Sequence, residues 1–259
     1  MKLIDAHIHL SDQEYADHIN DVIMDAKNSN VAALVCNSVD FQTSLQTLQL
    51  KEKYPDLVYA ALGIHPWNVN ILKQNELDDT LQLINEQNQK KSVIGIGEIG
   101  LDIKYEKVWD KQLLVFDKML RLAESLGLPV IIHSRGTTQQ IVDMLPSYNL
   151  KRVLLHWFSY PITALAQAVS RGYFITEGPT VTYSNGIRDV ISQVPITNLL
   201  TETDGPVKYF KPPFNGQLTT PSFIQKVVES IAEIKNMQVN AVAEQIITNF
   251  ETFFNVKLT

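Results

Sequence analysis

Apolar and polar positions fall along this chain in blocks. Short continuous apolar runs recur at Leu3–Ile8, Val31–Val35, Val58–Ile64, Val93–Ile96, Pro129–Ile132, Arg152–Leu155, Tyr173–Ile175 and Leu199–Thr201. Longer stretches with helical spacing lie between them, at Asp17–Asn28, Glu76–Gln87, Val108–Leu126, Thr138–Leu145, Ile162–Ser170 and Pro221–Ile234. A strand buried on both faces reads as an unbroken apolar run, and the helix returning to the next parallel strand shows an amphipathic period. Eight such runs predict an α/β fold, a TIM (β/α)8 barrel rather than an open sheet. Val239–Phe253 is predicted as an additional C-terminal helix. No short repeat and no Gly/Ser/Pro linker divides the chain, so residues 1–259 are expected to form one barrel domain.

The polar residues that end these runs carry the chemistry. Run one ends Asp5-Ala6-His7-Ile8-His9, run three Gly63-Ile64-His65-Pro66, and run four Gly97-Glu98-Ile99-Gly100. Run five ends His133-Ser134-Arg135, run six His156-Trp157, and run eight Glu202-Thr203-Asp204. Five of the six histidines stand at such ends, and the sixth, His18, falls in a predicted helix. In a barrel these ends face one mouth, so His7, His9, His65, Glu98, His133, His156 and Asp204 are expected to converge.

Side chains two apart on a strand point the same way, so Asp5, His7 and His9 share one face. Six histidines in 259 residues give only about 0.14 His-x-His pairs by chance. Such a pair can be structural or a chelate, and the matching strand ends favour the chelate. Imidazole suits zinc, iron and nickel, and carboxylate suits magnesium and manganese. Glu98, with Gly95 and Gly97 leaving room beside it, needs a cation or a donor if buried. One carboxylate can bridge two ions, or it can pair with a Lys or Arg. Asp204 can ligate and also accept a proton from an attacking water, so Asp204 and Glu98 are the expected catalytic carboxylates. His65 is open to two roles, donor to a substrate oxyanion or cap of the turn at Pro66. Arg135 can clamp a phosphate or serve a structural ion pair. Glu202 can ligate, orient, or pair with Arg135.

Net charge changes the expected partner. At −6 the chain lacks a global basic field for nucleic acid, so local cations would have to supply it. A single cysteine, Cys36, excludes an internal disulfide and a zinc site built from four cysteines, and it suits a reducing compartment. The first residues place an acid and two histidines where a leader needs an apolar run, and no stretch suits a bilayer. The cytoplasm is the expected location, with no membrane and no obligate protein partner.

Taken together, Asp-x-His-x-His-Leu at 5–10, Gly-Ile-His-Pro at 63–66, Gly-Glu-Ile-Gly-Leu-Asp at 97–102, Pro-Val-Ile-Ile-His-Ser-Arg at 129–135, His-Trp-Phe-Ser at 156–159 and Thr-Glu-Thr-Asp at 201–204 resemble the TatD-like metal-dependent hydrolases of the amidohydrolase superfamily. The resemblance spans nearly the whole chain. It implies a TIM barrel and a metal-dependent deoxyribonuclease, often a 3′→5′ exonuclease using magnesium. It implies two divalent ions (Mg, Mn or Zn), one held by His7, His9, Glu98 and Asp204, the other by Glu98, His133 and His156. It leaves His65 and Arg135 as the substrate-binding candidates.

Three stretches depart from the family pattern. Trp157 and Tyr160 stand where it commonly has Cys and Gly, and Gly136-Thr137 where it has Asp-Ala. The stretch 214–221 lacks the basic residues usual after the eighth strand, a loss that Lys208 or Lys211 could make good. The ligands are untouched, so the departures bear on the substrate. DNA is the expected substrate; the rival is a small phosphoester, amide or lactone on the same centre, and the remaining alternative is a non-catalytic metal-bound scaffold. On DNA, Trp157 or Tyr160 could stack on a base.

Overall fold

The computed structural model describes residues 1–258. Eight parallel strands pair in chain order: β1 (Leu3–Ile8), β2 (Val31–Asn37), β3 (Val58–Leu62), β4 (Gly95–Asp102), β5 (Val130–Arg135), β6 (Val153–Leu155), β7 (Phe174–Glu177) and β8 (Leu199–Thr201). Past the end of β8 the Asp204 N–H donates to the His7 carbonyl at 2.9 Å, and the His9 N–H donates to the Gly205 carbonyl at 2.8 Å. The Thr201 hydroxyl donates to the Ile4 carbonyl at 2.6 Å. These bonds join the last strand to the first, and the sheet becomes a TIM barrel.

Around it run α1 (Ile19–Asn28), α2 (Phe41–Lys53), α3 (Glu76–Gln89), α4 (Trp109–Leu126), α5 (Thr138–Met144), α6 (Ile162–Ser170), α7 (Asn185–Gln193) and α8 (Ile224–Lys235), with α9 (Val239–Phe254) the additional C-terminal helix. Their inner faces bury the core. In α4, Val115, Phe116, Met119, Leu120 and Ala123 recur every three or four residues and pack on the strands.

Two helices are absent from the helical stretches the pattern spelled out. The buried positions of α2 include Ser44 and Thr47, so no apolar stripe marks it; an Asp40–Thr43 capping box starts it. The other is α7, which buries Ile187, Val190 and Ile191. Four strands run further than predicted, β2 to Asn37 and β7 to Glu177 among them. β4 continues to Asp102 and β5 to Arg135, which puts Glu98 and His133 inside strands rather than at their ends. The apolar run stops early because these strands turn polar side chains to the barrel mouth. Close strand approach explains the glycines flanking Glu98. A Cβ on Gly97 would lie 2.7 Å from the Ile131 Cβ, and one on Gly100, where φ is +153°, would lie 2.0 Å from the His133 carbonyl oxygen.

Candidate metal centre

Six side chains that the sequence places at strand ends meet at the mouth around Glu98. Oε2 of Glu98 lies 3.4 Å from His7 Nε2 and 3.2 Å from His9 Nε2. Asp204 Oδ1 lies 3.5 Å and 3.4 Å from the same two nitrogens, which are themselves 3.1 Å apart. Oε1 of Glu98 faces His156 Nε2 at 2.8 Å, His133 Nδ1 at 2.9 Å and His65 Nε2 at 3.3 Å. The expected convergence of His7, His9, His65, Glu98, His133, His156 and Asp204 is therefore what the structure shows, and apart from the partly buried His9 and His133 all are buried. His65 shares a potential ligand group with Glu98 and His133, a grouping sequence reading did not make. His18 lies exposed just before α1, away from the centre.

Hydrogen bonds made behind the rings decide what each ring presents. His9 Nδ1 lies 3.0 Å from the Asn37 carbonyl, which can only accept, so Nδ1 carries the proton and Nε2 points a lone pair inward. His156 Nδ1 meets Glu202 Oε2 at 3.3 Å with the same result. His133 Nε2 meets Asp102 Oδ2 at 3.3 Å, so its inward Nδ1 holds the lone pair. His65 is wired the other way. Its Nδ1 accepts the Trp67 backbone N–H at 3.1 Å, so its Nε2 carries a hydrogen into the centre. His7 stacks on His156 with ring centroids 3.9 Å apart.

The donor set fits divalent ions. Ligand bonds of roughly 2.0–2.2 Å put neighbouring ligand atoms about 2.8–3.6 Å apart around a tetrahedral or octahedral ion. The separations of His7 and His9 from each other, from Glu98 and from Asp204 lie in that interval. Inward lone pairs facing carboxylate oxygens repel unless a cation lies between them. The ring basicities express the same demand. Burial pulls His9 down, but Asp204 and Glu98 outweigh it and raise it well above the ordinary imidazole range. Burial likewise opposes the charge on His156, and Glu98 and Glu202 overcome it. Burial prevails at His65, pushed down to about 4, and lowers His7. Burial works against the Glu98 carboxylate, yet the imidazoles around it hold it well below its usual range.

The other candidates sort differently. Arg135 ends β5 exposed, with no ion-pair or hydrogen-bond partner among the described residues. Glu202 does not pair with it; its oxygen bonds His156 because β8 directs it inward beside that ring. Lys208 is engaged by Glu14 at 3.1 Å, and Lys211 lies over the Tyr183 ring, 5.3 Å from its centroid. The stretch after Asp204 packs aromatics where basic residues are missing: Phe214 is buried and stacks on Phe223 at 4.5 Å. Trp157 rests 6.0 Å from the Tyr209 ring, whereas Tyr160 is exposed. Trp157 and Asp204 hold positive φ, 41° and 49°, an uncommon backbone state that clusters at functional sites. Sequence reading missed Asp102 and Trp67. Asp102 shares strand parity with Glu98 and Gly100, a signal that strand alternation carried forward would have found.

The family described as TatD related DNase matches residues 4–255. The chain belongs to this family of metal-dependent hydrolases. It is 32% identical over 260 residues to the uncharacterized metal-dependent hydrolase YabD of Bacillus subtilis, covering 98% of this chain and 99% of that protein. It is 30% identical over 255 residues to the deoxyribonuclease TATDN3 of Homo sapiens, covering 93% and 90%. Among solved structures, that of YjjV, a TatD homologue from Escherichia coli, aligns with a TM-score of 0.90 at 30% identity over 98% of each chain.

Proposed function

We propose that this chain hydrolyses phosphodiester bonds of DNA with two divalent ions, Mg, Mn or Zn. His7, His9, Glu98 and Asp204 would hold the first ion, and Glu98, His133 and His156 the second. The carrying observation is Glu98, whose two oxygens face two sets of imidazoles. Ions bound there supply Lewis acidity toward a phosphoryl oxygen and make a water acidic enough to lose its proton near neutrality.

The chain's own groups do the rest. Asp204, at the edge of the mouth, accepts the proton of the attacking water at its carboxylate. The His65 Nε2–H is the one ring hydrogen fixed toward the centre, and it donates to a phosphate oxygen as charge builds. Arg135, exposed beside His133, reaches the flanking phosphate. The test is shortening of single-stranded DNA and turnover of a generic phosphodiester with Mg²⁺, Mn²⁺ or Zn²⁺ against chelator. Metal-dependent cleavage of both is the expected result, and no cleavage with any metal would refute the proposal.

A second reading keeps the ions and changes the substrate. The net charge of −6, the engaged Lys208 and the aromatic stretch after Asp204 favour a small phosphoester or amide. Phosphodiester turnover without DNA cleavage would select it.

A further inference from the structure

The geometry points to Trp67 and Asp102 as positioning residues that set which nitrogen of His65 and His133 faces Glu98. This inference rests on reading the pocket as a metal centre. Trp67 donates twice, its backbone N–H to His65 Nδ1 at 3.1 Å and its indole N–H to Asp102 Oδ2 at 2.8 Å. Asp102 is fully buried at the end of β4. Its Oδ1 accepts the Lys104 N–H at 2.8 Å, and its Oδ2 also accepts from His133 Nε2. Gln112, from α4, fixes the Asp102 backbone from behind. Its Oε1 accepts the Asp102 N–H at 2.8 Å, and its Nε2 donates to the Asp102 carbonyl at 3.1 Å and to the Tyr105 carbonyl at 2.8 Å.

The Trp67 indole N–H and the Lys104 N–H both donate to the Asp102 carboxylate and hold it in its ionised, acceptor-only form. His133 must then donate through Nε2 and present its Nδ1 lone pair to the centre. The same tryptophan, through its backbone, forces the opposite state on His65, whose hydrogen points inward. One residue thereby makes one ring a ligand and its neighbour, 4.4 Å away between centroids, a hydrogen-bond donor. Proline at position 66 holds the short turn that lets both donors of Trp67 reach their targets.

Nitrogen-15 shifts of the histidine rings test this directly. In metal-free protein, at a pH where both rings are neutral, the proton of His65 and of His133 is expected on Nε2. Asp102→Asn keeps one acceptor oxygen, replaces the other with a donor and removes the negative charge. The expected result is a His133 proton redistributed toward Nδ1 and a 10–100-fold loss of Mn²⁺ affinity by calorimetry. Trp67→Phe keeps the ring and the backbone N–H. It is expected to leave the His65 shifts unchanged and to weaken Mn²⁺ binding up to about tenfold. A wild-type His133 protonated on Nδ1 overturns the assignment. So does Asp102→Asn with wild-type shifts and Mn²⁺ affinity. If Asp102→Asn does not fold, the wild-type shifts and Trp67→Phe decide. Wild-type protein with the expected shifts that binds Mn²⁺ yet cleaves no phosphodiester supports the assignment and refutes the proposed hydrolysis instead.

Discussion

At Glu98 the two carboxylate oxygens divide the centre between them, Oε1 toward His65, His133 and His156 and Oε2 toward His7 and His9. A glutamine keeps the volume but turns one of those faces into a donor. Glu98→Gln is expected to lower metal-dependent turnover about a thousandfold or more, because a glutamine cannot face both sets of imidazoles with an anionic oxygen. Gly100→Ala acts on stability. Its Cβ meets the His133 carbonyl oxygen at 2.0 Å at a φ of +153°, so a loss of more than about 2 kcal/mol in urea unfolding is expected. Glu177 gives the chain a pH signature. Burial pushes its carboxyl up to about 8, against an ordinary value of 4.5. The native state then holds a proton that the unfolded state releases. The stabilisation is complete below about pH 4.5 and is lost as pH rises toward 8, at up to about 1.4 kcal/mol per pH unit. Glu177→Gln keeps the carbonyl that accepts from Thr180 and Gly178 and should reduce the slope in urea titrations from pH 5 to 8, leaving the like contribution of Asp5, whose carboxyl burial also pushes up to about 8.

Among the elements, α9 shows how the helical layer supports a strand that carries a ligand. Asn249, buried on α9, donates to the Ile196 and Leu199 carbonyls, each at 2.7 Å, at the start of β8. Asn249→Ala strands both carbonyls and is expected to cost about 2–3 kcal/mol in urea unfolding, with Mn²⁺ affinity per folded molecule unchanged. The helix itself was legible, since Ile246, Phe250, Phe253 and Phe254 make an apolar face. So were β1 and β8, whose bounds match prediction. Legibility failed where the barrel's needs departed from simple periodicity. The inner face of α2 uses Ser44 and Thr47, and β4 carries glycine and two acids through its second half. The ligand candidates were readable because a histidine ending an apolar run is hard to explain otherwise. Asp102 was open to reading from strand parity, but its bond to His133 and the role of Trp67 were not, because they depend on hydrogen bonds from β4 to β5 and to the turn after β3, contacts that spacing along one strand does not report.

For the whole molecule, net charge and topology matter most. With −6 overall and Lys208 already paired, a DNA strand is met by few cations. If DNA is cut, log kcat/KM should fall with log salt at a slope of only about −1 to −2, one or two phosphates' worth, and a neutral small substrate should show no slope. Turnover from about 50 to 200 mM salt distinguishes them. No helix among the described residues is long and apolar enough to cross a membrane. The bonds from Asp204 to His7 and from His9 to Gly205 have a further consequence. They join positions nearly two hundred residues apart, so this seam is among the contacts of highest sequence separation and its closure carries a large loop entropy. During synthesis His7 and His9 leave the ribosome long before Asp204 exists. The nascent barrel therefore carries half of the proposed chelate until the eighth strand arrives, and the chain completes that candidate centre only when the barrel's two ends meet.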